Sequence, residues 1–286
     1  IGNDAFQEVD IVGITRSICK YGITVQRRED LGRIIKEAFY IARTGRPGPV
    51  VVDLPKDVMA ELGSAEYPAD VNIRGYKPNS SVHIGQLKKA LKMLERARKP
   101  LFLFGGGVNI AGANELLTQV VEKTKVPVVT TIMGRGAIPT DHPFYIGNLG
   151  MHGMYAANMA VGECDLLFSI GTRFNDRITG KLHAFAPNAQ IVHIDIDTAA
   201  ISKNVQVNVP IVADAKDAIE KMNEYVTALI EPYEVVDENK NIAYLHADET
   251  AAGTDGETAA ETESETTVET AAESAEETTV ETETEE

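Results

Sequence analysis

Two short apolar runs that end on glycine turns restrict this chain to one class of fold. Leu101-Phe102-Leu103-Phe104 runs straight into Gly105-Gly106-Gly107, and Leu166-Leu167-Phe168-Ser169-Ile170 runs into Gly171. Such runs are too short for a buried helix and lack polar alternation, the pattern of strands covered on both faces. Helical stripes stand between them. Leu87, Leu91 and Leu94 precede the first run, and Leu116, Leu117, Val120 and Val121 follow it. A strand from Val126 to Thr131 and a helix near Met154–Gly162 lead to the second run. Gln190 to Asp195 and Pro210 to Ala213 are further strands, and Asp214 can cap a helix that holds Ala218, Ile219 and Met222. Strand and helix alternate, so residues 83–228 are expected to form an α/β domain, a parallel sheet with helices on both faces. Each glycine-rich or charged motif follows a strand, at the sheet edge where open α/β folds bind ligands.

The flanks differ. Residues 1–57 read as the end of another α/β domain. Asp30 can cap a helix with an apolar stripe of Leu31, Ile34, Ile35, Ala38, Phe39 and Ala42, stopped by Gly45-Arg46-Pro47-Gly48-Pro49. Val50 to Leu54 is a short strand ended by Pro55. One helix–strand unit is too little for an independent core, so further strands are expected upstream. Residues 58–82, with Pro68, Gly75 and Pro78, read as a linker. Residues 229–286 read as a low-complexity acidic tail with no apolar face to bury, expected to be disordered.

Charge follows the same division. The formal net charge is −16. Residues 248–286 contain 15 acidic residues and no Lys or Arg; subtracting them from 43 leaves 28 acids against 27 bases, a net of −1 for the body. Balanced charge offers no nucleic-acid surface. No apolar run is long enough to span a bilayer. Cys19 and Cys164 stand in no metal spacing, so no metal site is expected and a reducing compartment, the cytoplasm, fits. Ile1-Gly2-Asn3-Asp4 is neither a signal nor a transit peptide, and without an initiator Met the chain reads as one cut inside a larger polypeptide.

Several residues are candidates for ligand chemistry. Gly105-Gly106-Gly107 either makes a tight turn or lets a ligand approach the backbone; it is not the G-x-G-x-x-G fingerprint. Between Gly171 and Gly180, Arg173 and Arg177 are spaced to share one face of a helical turn, where either can grip a phosphate and Asp176 can orient one of them. A surface ion pair is the alternative. Asp195, Asp197 and Asp214 stand at strand ends, where an acid either accepts from ribose hydroxyls or caps the next helix. His152 is a structural residue or a contact to a ring or phosphate. No nucleophile elbow occurs.

Together these motifs resemble the catalytic large subunit of the acetolactate synthase (acetohydroxyacid synthase) family of thiamine-diphosphate enzymes. The resemblance rests on Gly2 to Glu8, Ile14-Thr15-Arg16-Ser17, Thr44 to Val50, Asp53 to Asp57, Leu149-Gly150-Met151-His152-Gly153, Arg173 to Arg177 and His193 to Asp197, over roughly residues 1–225. It implies that residues 1–57 end a thiamine-pyrimidine-binding domain and that 83–228 form a central FAD-binding domain. In the family, the enzyme is a transferase that joins two pyruvates, or pyruvate and 2-oxobutyrate, with loss of CO2, at the start of branched-chain amino-acid biosynthesis. FAD there is mainly structural, and thiamine diphosphate with Mg2+ does the chemistry. The family also implies a homo-oligomer and a small regulatory subunit.

Matched position by position, the resemblance puts Phe6, Gln7 and Lys20 at the thiamine and substrate pocket. It puts Arg46, Gly106, Gly107, Thr131, Ile132, Leu149, Gly150, Met151, His152, Gly171, Thr172, Arg173, Phe174, Asn175, Asp195, Ile196 and Asp214 at FAD, with Asp176 and Arg177 beside the flavin and channel mouth. The family's activating glutamate lies upstream of Ile1, and its metal-binding Gly-Asp-Gly has no counterpart beyond Tyr233. The 286 residues alone are therefore expected to be inactive. Two alternatives stand beside this reading: a non-catalytic module for FAD or another adenine nucleotide, and a related carboligase such as glyoxylate carboligase.

Overall fold

The computed structural model describes residues 8–64, 66–78 and 81–229. Phe6 and Gln7 lie outside the described residues, as does the expected acidic tail except for Leu229, which ends the last helix.

The N-terminal part is α1 (Ile11–Thr15), β1 (Tyr21–Thr24), α2 (Leu31–Arg43), β2 (Val50–Asp53) and α3 (Lys56–Ala60). The short strand Tyr-Gly-Ile-Thr, absent from the sequence reading, pairs in parallel with β2, Tyr21 opposite Val50 and Thr24 opposite Asp53. Val25, Ile34 and Val58 form a small core with Ile23, Leu31, Val52 and Leu54 against it. The stripe on α2 is rotated from the expected one. Ile34, Ala38 and Ile41 are buried, whereas Phe39 is 65% exposed. Asp30 precedes α2 but makes no capping hydrogen bond; its carboxylate pairs with Arg33 at 3.0 Å instead.

The linker is strapped down by two lysines. Lys36 Nζ donates to the carbonyls of Pro68 and Ala69 and lies 5.1 Å from the Tyr67 ring centroid. Lys20 Nζ donates to the Tyr76 hydroxyl at 2.9 Å. The linker then joins the larger sheet domain, where the Val82 amide donates to Asp217 Oδ2 at 2.6 Å and its side chain enters the core.

That domain contains α4 (Ile84–Arg96), β3 (Pro100–Phe104), α5 (Gly106–Ala111), α6 (Asn114–Thr124), β4 (Val128–Thr130), β5 (Tyr145–Asn148), α7 (Tyr155–Glu163), β6 (Leu166–Ile170), α8 (Asp176–Thr179), β7 (Gln190–Asp195), β8 (Val209–Val212) and α9 (Ala215–Leu229). The six strands are parallel in the order β5-β4-β3-β6-β7-β8. This is the doubly wound α/β architecture expected from the alternation, with β5 and α5 added.

The pleat sends alternate residues to opposite faces. Phe102 and Phe104 of β3, with Phe168 and Ile170 of β6, pack under α4, α6 and α9. Leu101, Leu103 and Leu167 face the other way, against Ala157, Ala160 and Val161 of α7 and Ile178 of α8. Leu87, Leu91 and Leu94 of α4 are each at most 1% exposed, so truncating any one to Ala costs about 2–5 kcal/mol. Among the described residues, no helix is long and apolar enough to cross a membrane.

Candidate functional site

The chain winds outward from β3 to β4 and β5, then returns to add β6 on the other side of β3. Connections leaving β3 and β6 therefore diverge and open a crevice at their carboxyl ends, the switch point at which doubly wound sheets bind ligands. Gly105–Gly107 and the turn beginning at Gly171 pack against each other at its floor. Gly105 N–H donates to Ile170 O at 2.9 Å, and Gly107 N–H donates to Gly171 O at 3.0 Å. A Cβ on Gly105 would lie 2.2 Å from the Gly171 carbonyl oxygen, and one on Gly107 would lie 2.7 Å from Gly171 Cα. Gly105 is thus there for backbone packing, while Gly106 and Gly107 also line the crevice. The backbone contacts show the tight turn that this motif makes.

The crevice is a cleft of about 510 Å3, within the usual range for small-molecule sites. Four arginines line it. Arg43 and Arg46 come from the end of α2 and the turn after it, and Arg173 and Arg177 come from the segment after β6. Two strand-end aspartates, Asp195 and Asp214, stand among them. Four cations against two anions suit an anionic ligand, and the aspartates offer acceptors for hydroxyls. Ile132 and Met133 also line the cleft and are 67% and 72% exposed. They provide an apolar surface for a ring system.

Each strand end holds its polar groups by local hydrogen bonds. Asp195, 8% exposed, accepts from Asp197 N–H at 2.8 Å. Asp197 accepts from Ala199 N–H at 3.0 Å and pairs with Arg46 at 3.1 Å. Asp214 accepts from Lys216 N–H at 2.8 Å, so it caps α9 and lines the cleft at once. Thr131 Oγ1 accepts from Gly134 N–H at 3.0 Å and closes the turn carrying Ile132 and Met133.

Residues 87–222 match the thiamine pyrophosphate enzyme central-domain family. Over 232 residues, 80% of its length, the chain is 49% identical to the probable acetolactate synthase large subunit of Methanocaldococcus jannaschii. It is 47% identical over 228 residues to the acetolactate synthase large subunit of Buchnera aphidicola subsp. Schizaphis graminum. It is 46% identical over 229 residues to the acetolactate synthase isozyme 3 large subunit of Escherichia coli. The chain is a homologue of acetolactate synthase large subunits. It spans 39–40% of the length of these relatives.

Of the positions expected at a flavin cofactor, Arg46, Gly106, Gly107, Thr131, Ile132, Gly171, Thr172, Arg173, Asn175, Arg177, Asp195, Ile196 and Asp214 line the cleft. Leu149, Gly150, Met151, His152, Phe174 and Asp176 do not. Leu149 is 4% exposed and belongs to the core below. The Met151 amide donates to Arg177 O at 2.8 Å, which sets the Leu149–Gly153 loop beside the arginine segment, and His152 is exposed to solvent.

The two arginines are not on one helical turn. Phe174 has φ +49° and breaks the backbone between them, and α8 begins only at Asp176. The bend, not helical spacing, brings both to the cleft. Among the described residues, Asp176 forms no ion pair with either arginine.

Lys20, expected at a substrate pocket, has its ammonium engaged within the chain. Its Nζ donates to Ile41 O at 2.6 Å, to Thr44 O and to Tyr76 Oη, and so uses its three hydrogens to close the C-terminal end of α2. Arg43, Met133 and Ala215 line the cleft without having been singled out in sequence. Arg43 had a signal, since a cation in the last turn of α2 stands two residues before the Gly-Arg-Pro turn.

Proposed function

We propose that this chain is the cofactor-holding part of an acetolactate synthase large subunit, with residues 83–228 as an FAD-binding domain and 1–57 as the end of the domain for the thiamine pyrimidine. The observation that carries the reading is the meeting of Arg46, Arg173 and Arg177 with Asp195 and Asp214 over a glycine floor at the switch point. That donor set fits a dinucleotide. The guanidinium groups would hold a pyrophosphate, the aspartates would accept from ribose hydroxyls, and Ile132 and Met133 would offer a flat apolar contact to an aromatic ring. FAD bound here would be held by Arg46 of the Gly-Arg-Pro turn and by the strand-end aspartates, and Arg173 and Arg177 would orient its anionic part.

Membership of the thiamine pyrophosphate enzyme family implies that cofactor. In the whole protein, thiamine diphosphate with Mg2+ supports the union of two 2-oxo acids, pyruvate with pyruvate or with 2-oxobutyrate. The whole protein works as a homo-oligomer with a small regulatory subunit, in the cytoplasm. The support for these statements is the identity of 46–50% to proteins bearing the acetolactate synthase name.

FAD titration of the 286-residue chain tests the reading. FAD should raise its melting temperature, because a ligand that binds only the folded state adds stability. Arg173→Ala should weaken binding by about tenfold, the value of one charge-assisted hydrogen bond. A melting temperature unmoved by saturating FAD would sink the proposal.

A further inference from the structure

The turn that carries Arg173 is held in an unfavourable backbone conformation. Gly171 has φ +65° and Phe174, which has a Cβ, has φ +49°. A non-glycine residue in this region needs surrounding contacts to keep it there. Those contacts converge on one buried side chain. His193 of β7 is 0% exposed, and its Nε2 lies 2.7 Å from the Thr172 carbonyl oxygen. The Phe174 ring packs edge-on against the imidazole with centroids 4.9 Å apart, and against Phe185 at 5.9 Å. Asn204 Nδ2 donates to the Phe174 carbonyl at 2.9 Å.

A carbonyl oxygen can only accept, so Nε2 carries the hydrogen, with the Asp195 carboxylate 3.8 Å from the same nitrogen. Nδ1 is buried and has no partner, and the buried hydroxyl of Ser169 also has none. The parallel register places Ser169 opposite His193 on neighbouring strands, so both side chains leave the same face of the sheet. One group lacks a donor and the other has a hydroxyl hydrogen to give.

We infer that His193, held as its Nε2–H tautomer by the Thr172 carbonyl, is a positioning residue that holds the Gly171–Asn175 turn and so aims Arg173 into the cleft. It touches no ligand itself; it acts through the Thr172 carbonyl and the Phe174 ring. The consequence for FAD rests on the function proposed above, whereas the hold on the turn does not.

The test uses the full 286-residue chain. Long-range 1H–15N NMR of the wild type should show His193 as the Nε2–H tautomer; an Nδ1–H tautomer overturns the inference. His193→Gln places an amide donor near the Nε2 position, His193→Asn near Nδ1, and His193→Phe has none. Without FAD, amide exchange at residues 172–174 should be about tenfold faster in His193→Asn and His193→Phe, near wild type in His193→Gln, and unchanged in β3. FAD affinity should fall about tenfold in the same two variants and recover in His193→Gln. A folded His193→Phe chain with wild-type exchange at this turn overturns the inference. If neither His193→Asn nor His193→Phe folds, the tautomer and the behaviour of His193→Gln decide it. Failure of the wild-type chain to bind FAD removes the FAD reading and leaves the exchange result to decide the positioning role.

Discussion

Arg46 and Asp197, separated by 151 positions in sequence, meet through a 3.1 Å contact between Nη1 and Oδ2 at the rim of the cleft. The pair ties the Gly-Arg-Pro turn to the loop after β7. Arg46 is about half exposed, so solvent screens most of the Coulomb gain. Asp197→Asn should lower unfolding free energy by no more than about 1 kcal/mol, measured by urea denaturation. A loss well above that would mean that the pair belongs to a cooperative network rather than an isolated rim contact.

Two glycines make opposite predictions. Gly107→Ala drives a Cβ to within 2.7 Å of Gly171 Cα, and neither backbone can yield without shifting β3 or β6. The expected cost is about 1–3 kcal/mol, together with loss of FAD binding. Gly162 lies inside α7 with nothing within 4 Å of the position a Cβ would occupy. Gly162→Ala should stabilise by roughly 0.5–1 kcal/mol through helix propensity. Thermal melts of both variants check the contrast, and equal effects would refute it.

Lys20→Met keeps the aliphatic stem and removes the ammonium. The Ile41 carbonyl then loses the ammonium as donor, while the Thr44 carbonyl keeps only the Tyr76 hydroxyl, at 3.0 Å. A cost of about 1–3 kcal/mol follows, with faster amide exchange near the end of α2. In the full-length enzyme, a changed KM at unchanged stability would instead return Lys20 to the substrate channel.

Burial beneath α7 pushes the Cys164 thiol up to about 12, with Asp165 adding to the shift. An unfolded thiol ionises near 9. Between these values the unfolded chain releases a proton that the native chain keeps. Stability therefore falls as pH rises from about 9 toward 12, by up to about 1.4 kcal/mol per pH unit. Cys164→Ala should flatten that slope in urea titrations. At pH 8 a disulfide reagent should modify only Cys19 in the native chain and both thiols after unfolding.

The elements could be read from sequence where a pattern repeats along a face. The unbroken apolar strands β3 and β6, the stripes of α4, α6 and α9, and the alternation that makes the sheet parallel were all legible. Tyr21–Thr24 and Tyr145–Asn148 were not. Each is four residues long and interrupted by glycine, so it carries no periodic signal. Phe39 misled because any large apolar residue near a stripe resembles a core residue, and only packing shows that it faces outward.

The site divides in the same way. Glycines after strands, arginines between glycines and acids at strand ends marked the carboxyl edge as the place to look. Residue identity alone determined which charges and hydrogen-bonding groups this edge carries, because those capacities belong to side chains wherever the chain places them. Only the tertiary structure decided that Gly107 packs on Gly171, that Lys20 closes a helix, that Phe174 bends the backbone between Arg173 and Arg177, and that His193 reaches back to Thr172. Those facts depend on strand order and register, which the packing of segments far apart in the chain determines together. The backbone period that produces each helix or strand is local and carries no record of them.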